Sequence, residues 1–290
     1  MSEHANNGPQ EETTVPVVLI IAGHDPSGGA GIQADIEAVI SQGVHAATAI
    51  TALTVQDTRN VHSFQAVEPA FVVEQARAVL NDMPVAAIKI GMLANVAMVH
   101  AVAALLRQSP RIPVVLDPVL VAGGGGSLAD NRVAQAMIDE LIPLATILTP
   151  NAHEARVLSG GVEQPDERGK ILAALGSEFV LMKGGDEPGS QVINWLYGVN
   201  PPRRFVFDRI EGRFHGSGCT LAAAIAGLLA QGSDMVNAVH EAQVYTQQTL
   251  LYSAAIGKGQ LIPHRLFWAD APAEDEPTAE PASNGENRIH

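Results

Sequence analysis

Cysteine occurs once in the 290 residues, tryptophan twice and tyrosine three times, and the 17 basic residues are outnumbered by 31 acidic ones. A single cysteine excludes an intrachain disulfide framework and suits a reducing compartment, so a cytoplasmic location is expected. With so few basic residues and no basic stripe, nucleic acid is excluded as the expected partner. No apolar run is long enough to span a bilayer. Residues 1–14 are polar and acidic, unlike a secretory signal or a transit peptide. Aromatic residues make up 4% of the chain while 47% is hydrophobic. The core must therefore come from Ala, Val, Ile and Leu, which suits helices packed closely on a sheet.

The charge is uneven along the chain. The first 14 residues carry three acids and no base, and residues 271–290 carry five acids against Arg288. Half of the net charge of −14 therefore lies in these ends. Both are rich in Glu, Pro, Asn, Ser and Thr without apolar periodicity, and are expected to be disordered tails. Between them, residues 15–270 are expected to form a single domain, the length being sufficient for one large α/β unit. An acidic body that binds phosphate must do so locally, with backbone amides, a lysine and a metal.

Val17-Val18-Leu19-Ile20-Ile21-Ala22 reads as a strand buried on both faces. A loop with four glycines follows, Gly23-His24-Asp25-Pro26-Ser27-Gly28-Gly29-Ala30-Gly31, and then a helix over about 32–42. Strand, Gly-rich loop and helix form the usual entry to a ligand crevice in a parallel sheet. The spacing is neither G-x-G-x-x-G nor the Walker A pattern, so a dinucleotide oxidoreductase is improbable. Further strands are predicted over 46–53, 85–90, 114–116, 146–149 and 179–182, with helices over about 69–81, 95–107 and 132–142. An antiparallel pair, 192–197 and 205–208, follows. Two helices, about 218–231 and 233–255, close the chain. Six buried strands alternating with helices argue for one mostly parallel sheet covered on both faces.

The polar residues worth attention stand at strand ends or helix starts, where such sheets bind ligands. Gln56 offers both a donor and an acceptor, suited to a heterocycle edge. Met92 can pack on a flat ring or fill core. Asp117-Pro118-Val119 closes one strand, and Gly123-Gly124-Gly125-Gly126 is read as mobile, either a segment that moves with a ligand or only a floppy connector. Asn151 and Glu154 have the spacing of a capping box, and Glu154 is equally able to help hold Mg²⁺. Lys183, before two glycines, is either a surface residue or a point charge for phosphate. His215-Gly216-Ser217-Gly218-Cys219-Thr220 opens a small-residue helix. Its first amides have no intrahelical partners and, with the helix dipole, can hold an anion beside the thiol. Ser217 is the candidate cap of that helix.

Taken in order, residues 22–35, Lys89-Ile90-Gly91-Met92-Leu93, Leu116-Asp117-Pro118-Val119, Thr149-Pro150-Asn151, Met182-Lys183-Gly184-Gly185 and residues 215–220 resemble the hydroxymethylpyrimidine/phosphomethylpyrimidine kinases of thiamine biosynthesis. These are a branch of the ribokinase-like superfamily, and the likeness runs from about Val17 to His264. The resemblance implies a three-layer α/β/α sandwich and a homodimer. It implies an ATP- and Mg²⁺-dependent kinase acting on 4-amino-5-hydroxymethyl-2-methylpyrimidine and then on its monophosphate. It would place Gly23, Asp35, Gln56, Met92 and Val119 around the pyrimidine and make Gly216, Ser217 and Gly218 an anion hole. Cys219 would stand where related sugar kinases carry an aspartate base, Lys183 would meet phosphate, and Asn151 and Glu154 would organise Mg²⁺. At a helix start the Cys219 thiol is expected to be partly ionised near neutrality. Arg213-Phe214, Asp186 and the Gly123–Gly126 run depart from the usual pattern of these kinases. A pyridoxal or pyridoxine kinase of the same fold is the nearest alternative function, and a non-catalytic pyrimidine or nucleotide sensor the next.

Overall fold

The apolar run at the start becomes strand β1 (Val17–His24), and the molecule is built around it. Its side chains alternate between two cores. Leu19 and Ile21 enter one, and Val18, Ile20 and Ala22 enter the other, as the period of two in a strand requires. The computed structural model describes residues 15–120 and 131–270. Both tails and the Gly123–Gly126 run lie outside the described residues.

Among the described residues nine strands form one sheet: β2 (His45–Gln56), β3 (Val61–Ala66), β4 (Val85–Ile90), β5 (Val114–Leu116), β6 (Ile147–Leu148), β7 (Phe179–Met182), β8 (Gln191–Tyr197) and β9 (Arg203–Asp208) join β1 in the order 3-2-1-4-5-6-7-8-9. The six strands from β2 to β7 are parallel, and β3, β8 and β9 add antiparallel edges. Helices cover both faces, as expected. On one side α2 (Pro69–Asp82), α3 (Val96–Leu106), α4 (Asn131–Ala136), α5 (Ala152–Leu158) and α6 (Pro165–Ala173) enclose the first core. On the other, α1 (Gly31–Ser41), α7 (Ser217–Ala230) and α8 (Met235–Leu251) enclose the second. After β2 and β3 the chain crosses to the far side of β1, so strand order reverses between β1 and β4. In open α/β sheets that switch point is where ligands sit.

Several boundaries differ from the sequence reading. The helix expected over 132–142 is α-helical only to Ala136. It then widens into a π-turn, Met137–Leu141, and ends in a 3₁₀ turn around Pro143. The last helix starts at Met235, because the Asp234 side chain accepts from the amides of Val236 and Asn237. Ser217 is not the cap of α7: Gly216 takes that position with φ 79°, a left-handed geometry that favours glycine. β3 and α6 were not anticipated. β3 is largely exposed, and α6 is mostly polar, so neither carries a strong apolar period.

Candidate active site

A cavity of about 550 Å³ opens at the carboxyl ends of the parallel strands, lined by residues from Ala22 to Gln260. One wall is the loop after β1. Asp25 organises it by accepting from Ser27 N (2.9 Å), Ser27 Oγ (2.8 Å) and Ala30 N (2.8 Å). His215 Nε2 approaches the same carboxylate at 2.8 Å. Burial works against the charge on Asp25, but the hydrogen bonds from His215 and Ser27 outweigh it and hold the carboxyl below its ordinary range.

Gln56 is tied to the same group: its Nε2 lies 2.9 Å from His215 Nε2. Its Oε1 accepts from Thr54 Oγ1 at 3.2 Å, and Thr54 Oγ1 also lies 2.9 Å from the His24 carbonyl. His215 Nδ1 is buried without a partner. Gly23, Met92 and Val119 line the same end of the cavity. A side chain at Gly23 would meet Met92 Sδ at 3.1 Å, which explains glycine there.

Asp35 is a different case. It lies completely buried beneath the cleft, its two oxygens held by Lys89 Nζ at 2.8 and 2.7 Å. Lys89, not Asp35, reaches the cavity lining. Burial disfavours the ammonium, but Asp35, with Cys219 and Asp117 nearby, holds Lys89 charged and above its usual value.

The opposite wall is the start of α7. Its first intrahelical bond runs from Thr220 N to Gly216 O at 2.9 Å, leaving the amides of Ser217, Gly218 and Cys219 ahead of the ladder. Lys183, at the end of β7, is 3.0 Å from Asp117 Oδ1. Its Nζ lies 3.1 Å from where a Cβ on Gly218 would be. Although desolvation opposes it, Asp117, Glu154 and Cys219 keep this lysine's pKa raised. The Cys219 thiol contradicts the sequence expectation. Burial pushes its pKa up to about 11, and Asp35 and Asp117 add to this against the opposing pull of Lys89 and of the Gly31 amide. The helix start does not yield a thiolate near neutrality, because desolvation and two carboxylates outweigh it.

Asn151 and Glu154 form the capping box of α5, with Glu154 N to Asn151 Oδ1 at 2.8 Å and Asn151 N to Glu154 Oε2 at 2.9 Å. Both also line the cavity. Burial, with Asp117 adding, raises the Glu154 carboxyl to about 7 against the pull of Lys183. Among the described residues no cluster of three or more His, Cys, Asp or Glu side chains could hold a metal by itself. At the far end Val192, Phe207 and Leu250 form an apolar patch beside Asn194, Gln243 and Thr246. Sequence reasoning missed that end, and gave no role to Asp117, Lys89 or His215. The signal for these three was present: each stands inside or beside a motif at a strand end. Arg213 and Asp186 also line the cavity. Phe214 lines it too, and its backbone forms a β-bridge with Leu261.

An open, mostly parallel α/β sheet covered on both faces, with a glycine-bounded helix start lining a cleft at its strand ends, is the architecture of the ribokinase-like kinases. Residues 25–264 match the model of the phosphomethylpyrimidine kinase family, and the chain belongs to that family. It is 41% identical to the hydroxymethylpyrimidine/phosphomethylpyrimidine kinase of Synechococcus elongatus over 85% of this chain and 95% of that protein. It is 40% identical to the thiamine biosynthesis bifunctional protein of Geobacter sulfurreducens, over 83% of this chain but only 50% of that longer protein. Among solved structures, an ADP complex of Bacillus subtilis pyridoxal kinase superposes with a TM-score of 0.80 at 30% identity, covering 87% of this chain and 98% of that one.

Proposed function

We propose that the protein phosphorylates 4-amino-5-hydroxymethyl-2-methylpyrimidine with ATP, and then phosphorylates the monophosphate to the diphosphate, in thiamine diphosphate biosynthesis. The observation that carries this reading is one cavity lined by two chemically distinct sets of groups. Gln56, a donor and acceptor, and Met92 form one set, and three open helix amides with Lys183 form the other. Gly23, Gln56, Met92 and Val119 then surround the pyrimidine, while Asp35 serves from beneath by holding Lys89. Gly216, Ser217 and Gly218 form the anion hole for the transferred phosphoryl group, and Lys183 neutralises its charge. Phosphoryl transfer asks mainly for such positioning and charge, with modest base strength. Cys219 lines the cavity beside these amides and in its thiolate form would accept the proton that the substrate hydroxyl loses.

Mg²⁺ is implied by the reaction. It commonly takes one or two carboxylates and completes its shell with water and substrate phosphates. Glu154, with its charge raised in energy beside Asp117, fits that partial donor set, and Asn151 fixes the Glu154 amide and carboxyl in place. Bound there, the ion would offset the charge on the nucleotide phosphates. The apolar patch of Val192, Phe207 and Leu250 suits the nucleotide base. We further assign the enzyme to the cytoplasm, from its lone cysteine, and to a homodimer, which sedimentation would test.

The deciding experiment is mass spectrometry of products from ATP, Mg²⁺ and hydroxymethylpyrimidine, with pyridoxal in a parallel reaction. Pyrimidine mono- and diphosphate are expected. Monophosphate alone would remove the second step. Pyridoxal phosphate alone would move the protein to the vitamin B6 branch, and no product in either would revive a sensor.

A further inference from the structure

Arg265 lies one residue beyond the family match, which ends at 264, and its side chain is completely buried. Its guanidinium spends its donors on both walls of the cleft. Nη1 donates to Glu37 Oε2 at 3.1 Å and to Gly28 O at 3.4 Å, and Nη2 donates to Gly29 O. Nε donates to Thr220 Oγ1 at 2.8 Å, and the Thr220 hydroxyl passes the chain on to Gly216 O at 2.9 Å. The backbone of Arg265 is fixed as well, its carbonyl accepting from Ser41 Oγ and Tyr245 OH, both at 2.8 Å. One planar group therefore ties the β1 loop to the left-handed residue that opens α7. These walls already touch, since a Cβ on Gly216 would overlap the Gly29 carbonyl.

We propose that Arg265 is a positioning residue for phosphoryl transfer, acting through Thr220 to hold the anion-site amides of α7 at a fixed distance from the substrate loop. The inference rests on the reading of Gly216–Cys219 as the anion site. A guanidinium suits the task because its rigid fork meets several acceptors in one plane, whereas an ammonium is a point charge. The geometry it fixes bears directly on rate, since a misplacement of about 1 Å can cost roughly 10²-fold in catalysis. Removing the side chain outright would strand the Glu37 carboxylate and two carbonyls, so the informative variants keep the charge or remove only the relay.

The test compares wild type, Arg265→Lys, Thr220→Val and the double variant for kcat, for KM toward ATP and pyrimidine, and for melting temperature. In both single variants kcat should fall about tenfold or more while KM for ATP changes by less than about threefold. The double variant should be no slower than the slower single one, because both changes break the same chain. A kcat of Arg265→Lys within about threefold of wild type, whatever its melting temperature, would overturn the proposal. So would losses that multiply in the double variant. Should Arg265→Lys fail to fold, Thr220→Val decides alone, since it leaves the guanidinium in place and removes only the hydroxyl. Wild type inert on the pyrimidine but active on pyridoxal would refute the substrate reading only, and the same comparison is then made on pyridoxal. A wild type inert on both would remove the reading and the inference with it.

Discussion

At the scale of single residues, two groups in the cleft set how the site should respond to pH. Cys219 is held near 11 by burial, so the thiolate fraction at neutral pH is small and grows about tenfold per pH unit. If this thiolate takes the proton of the substrate hydroxyl, the first phosphorylation rate should climb between about pH 7 and 9.5. The second step attacks with a phosphate oxygen already ionised and should stay flat. Cys219→Ala should abolish the alkaline rise of the first step, so its loss is larger at high pH than at neutrality. An equal rise in the variant, measured by initial rates of each step, would remove Cys219 as the base. Glu154 has the opposite interest. Its carboxyl stands at about 7, above its ordinary value of 4.5, so the folded state keeps a proton that the unfolded chain releases. That contribution is present in full below about pH 4.5 and is lost as pH rises through about 7. Glu154→Gln can still accept from Asn151 N, preserving the cap without the charge. It should raise unfolding free energy at pH 8 by about 1–3 kcal/mol while lowering kcat. Denaturant unfolding at pH 5 and pH 8 checks the first part, and a gain equal at both values would contradict it.

At the scale of elements, the start of α7 is where small changes matter most. Gly216→Ala would need φ near 79° and would drive a Cβ into the Gly29 carbonyl. Gly218→Ala presses on the end of a flexible lysine, Lys183 Nζ at 3.1 Å, and makes ordinary contact with Asp117 Oδ2 at 4.0 Å. The first should cost about 1–3 kcal/mol or more. The second should cost little stability yet displace Lys183 and lower kcat, with melting curves and steady-state rates separating the two. Loss of stability without loss of rate in Gly218→Ala would mean Lys183 does not serve the phosphoryl group. The elements themselves were legible in proportion to their burial. β1, with every residue from Val17 to Ala22 buried, reads directly from its apolar run. β3, at an exposed antiparallel edge, and polar α6 do not, because neither is selected by a buried face. The site followed the same logic. Gly-rich turns, strand-end lysines and the small-residue helix could be seen in one dimension. Which carboxylate lies under the cleft and which faces it could not: Asp35 was read as a ligand contact and Asp117 was left without a role. The shift of Cys219 comes first from desolvation, with Asp35 and Asp117 adding to it, and these surroundings are supplied by residues far away in the chain, so local spacing gave it the wrong direction.

At the scale of the whole molecule, the cleft draws on residues from Ala22 to Gln260, and β1 feeds both cores from alternate side chains. Neither layer of helices can leave the sheet without exposing the apolar face it covers on the strands that the other layer shares. Unfolding is therefore expected to be a single transition, and the site should exist only in the fully folded state. A ligand that binds the native state alone stabilises it by RT ln(1 + [L]/Kd). ADP at about 100 times its Kd should add about 2.7 kcal/mol to the unfolding free energy. It should do so without changing the dependence on denaturant, because the surface exposed on unfolding is the same. Urea unfolding with and without ADP, followed by circular dichroism and by tryptophan fluorescence, tests this. Trp195 in β8 and Trp268 beyond α8 give the fluorescence probe two distant reporters. Coincident curves shifted by the nucleotide support one cooperative unit. A two-step curve in which ADP moves only the second step would show that a layer separates while the site survives.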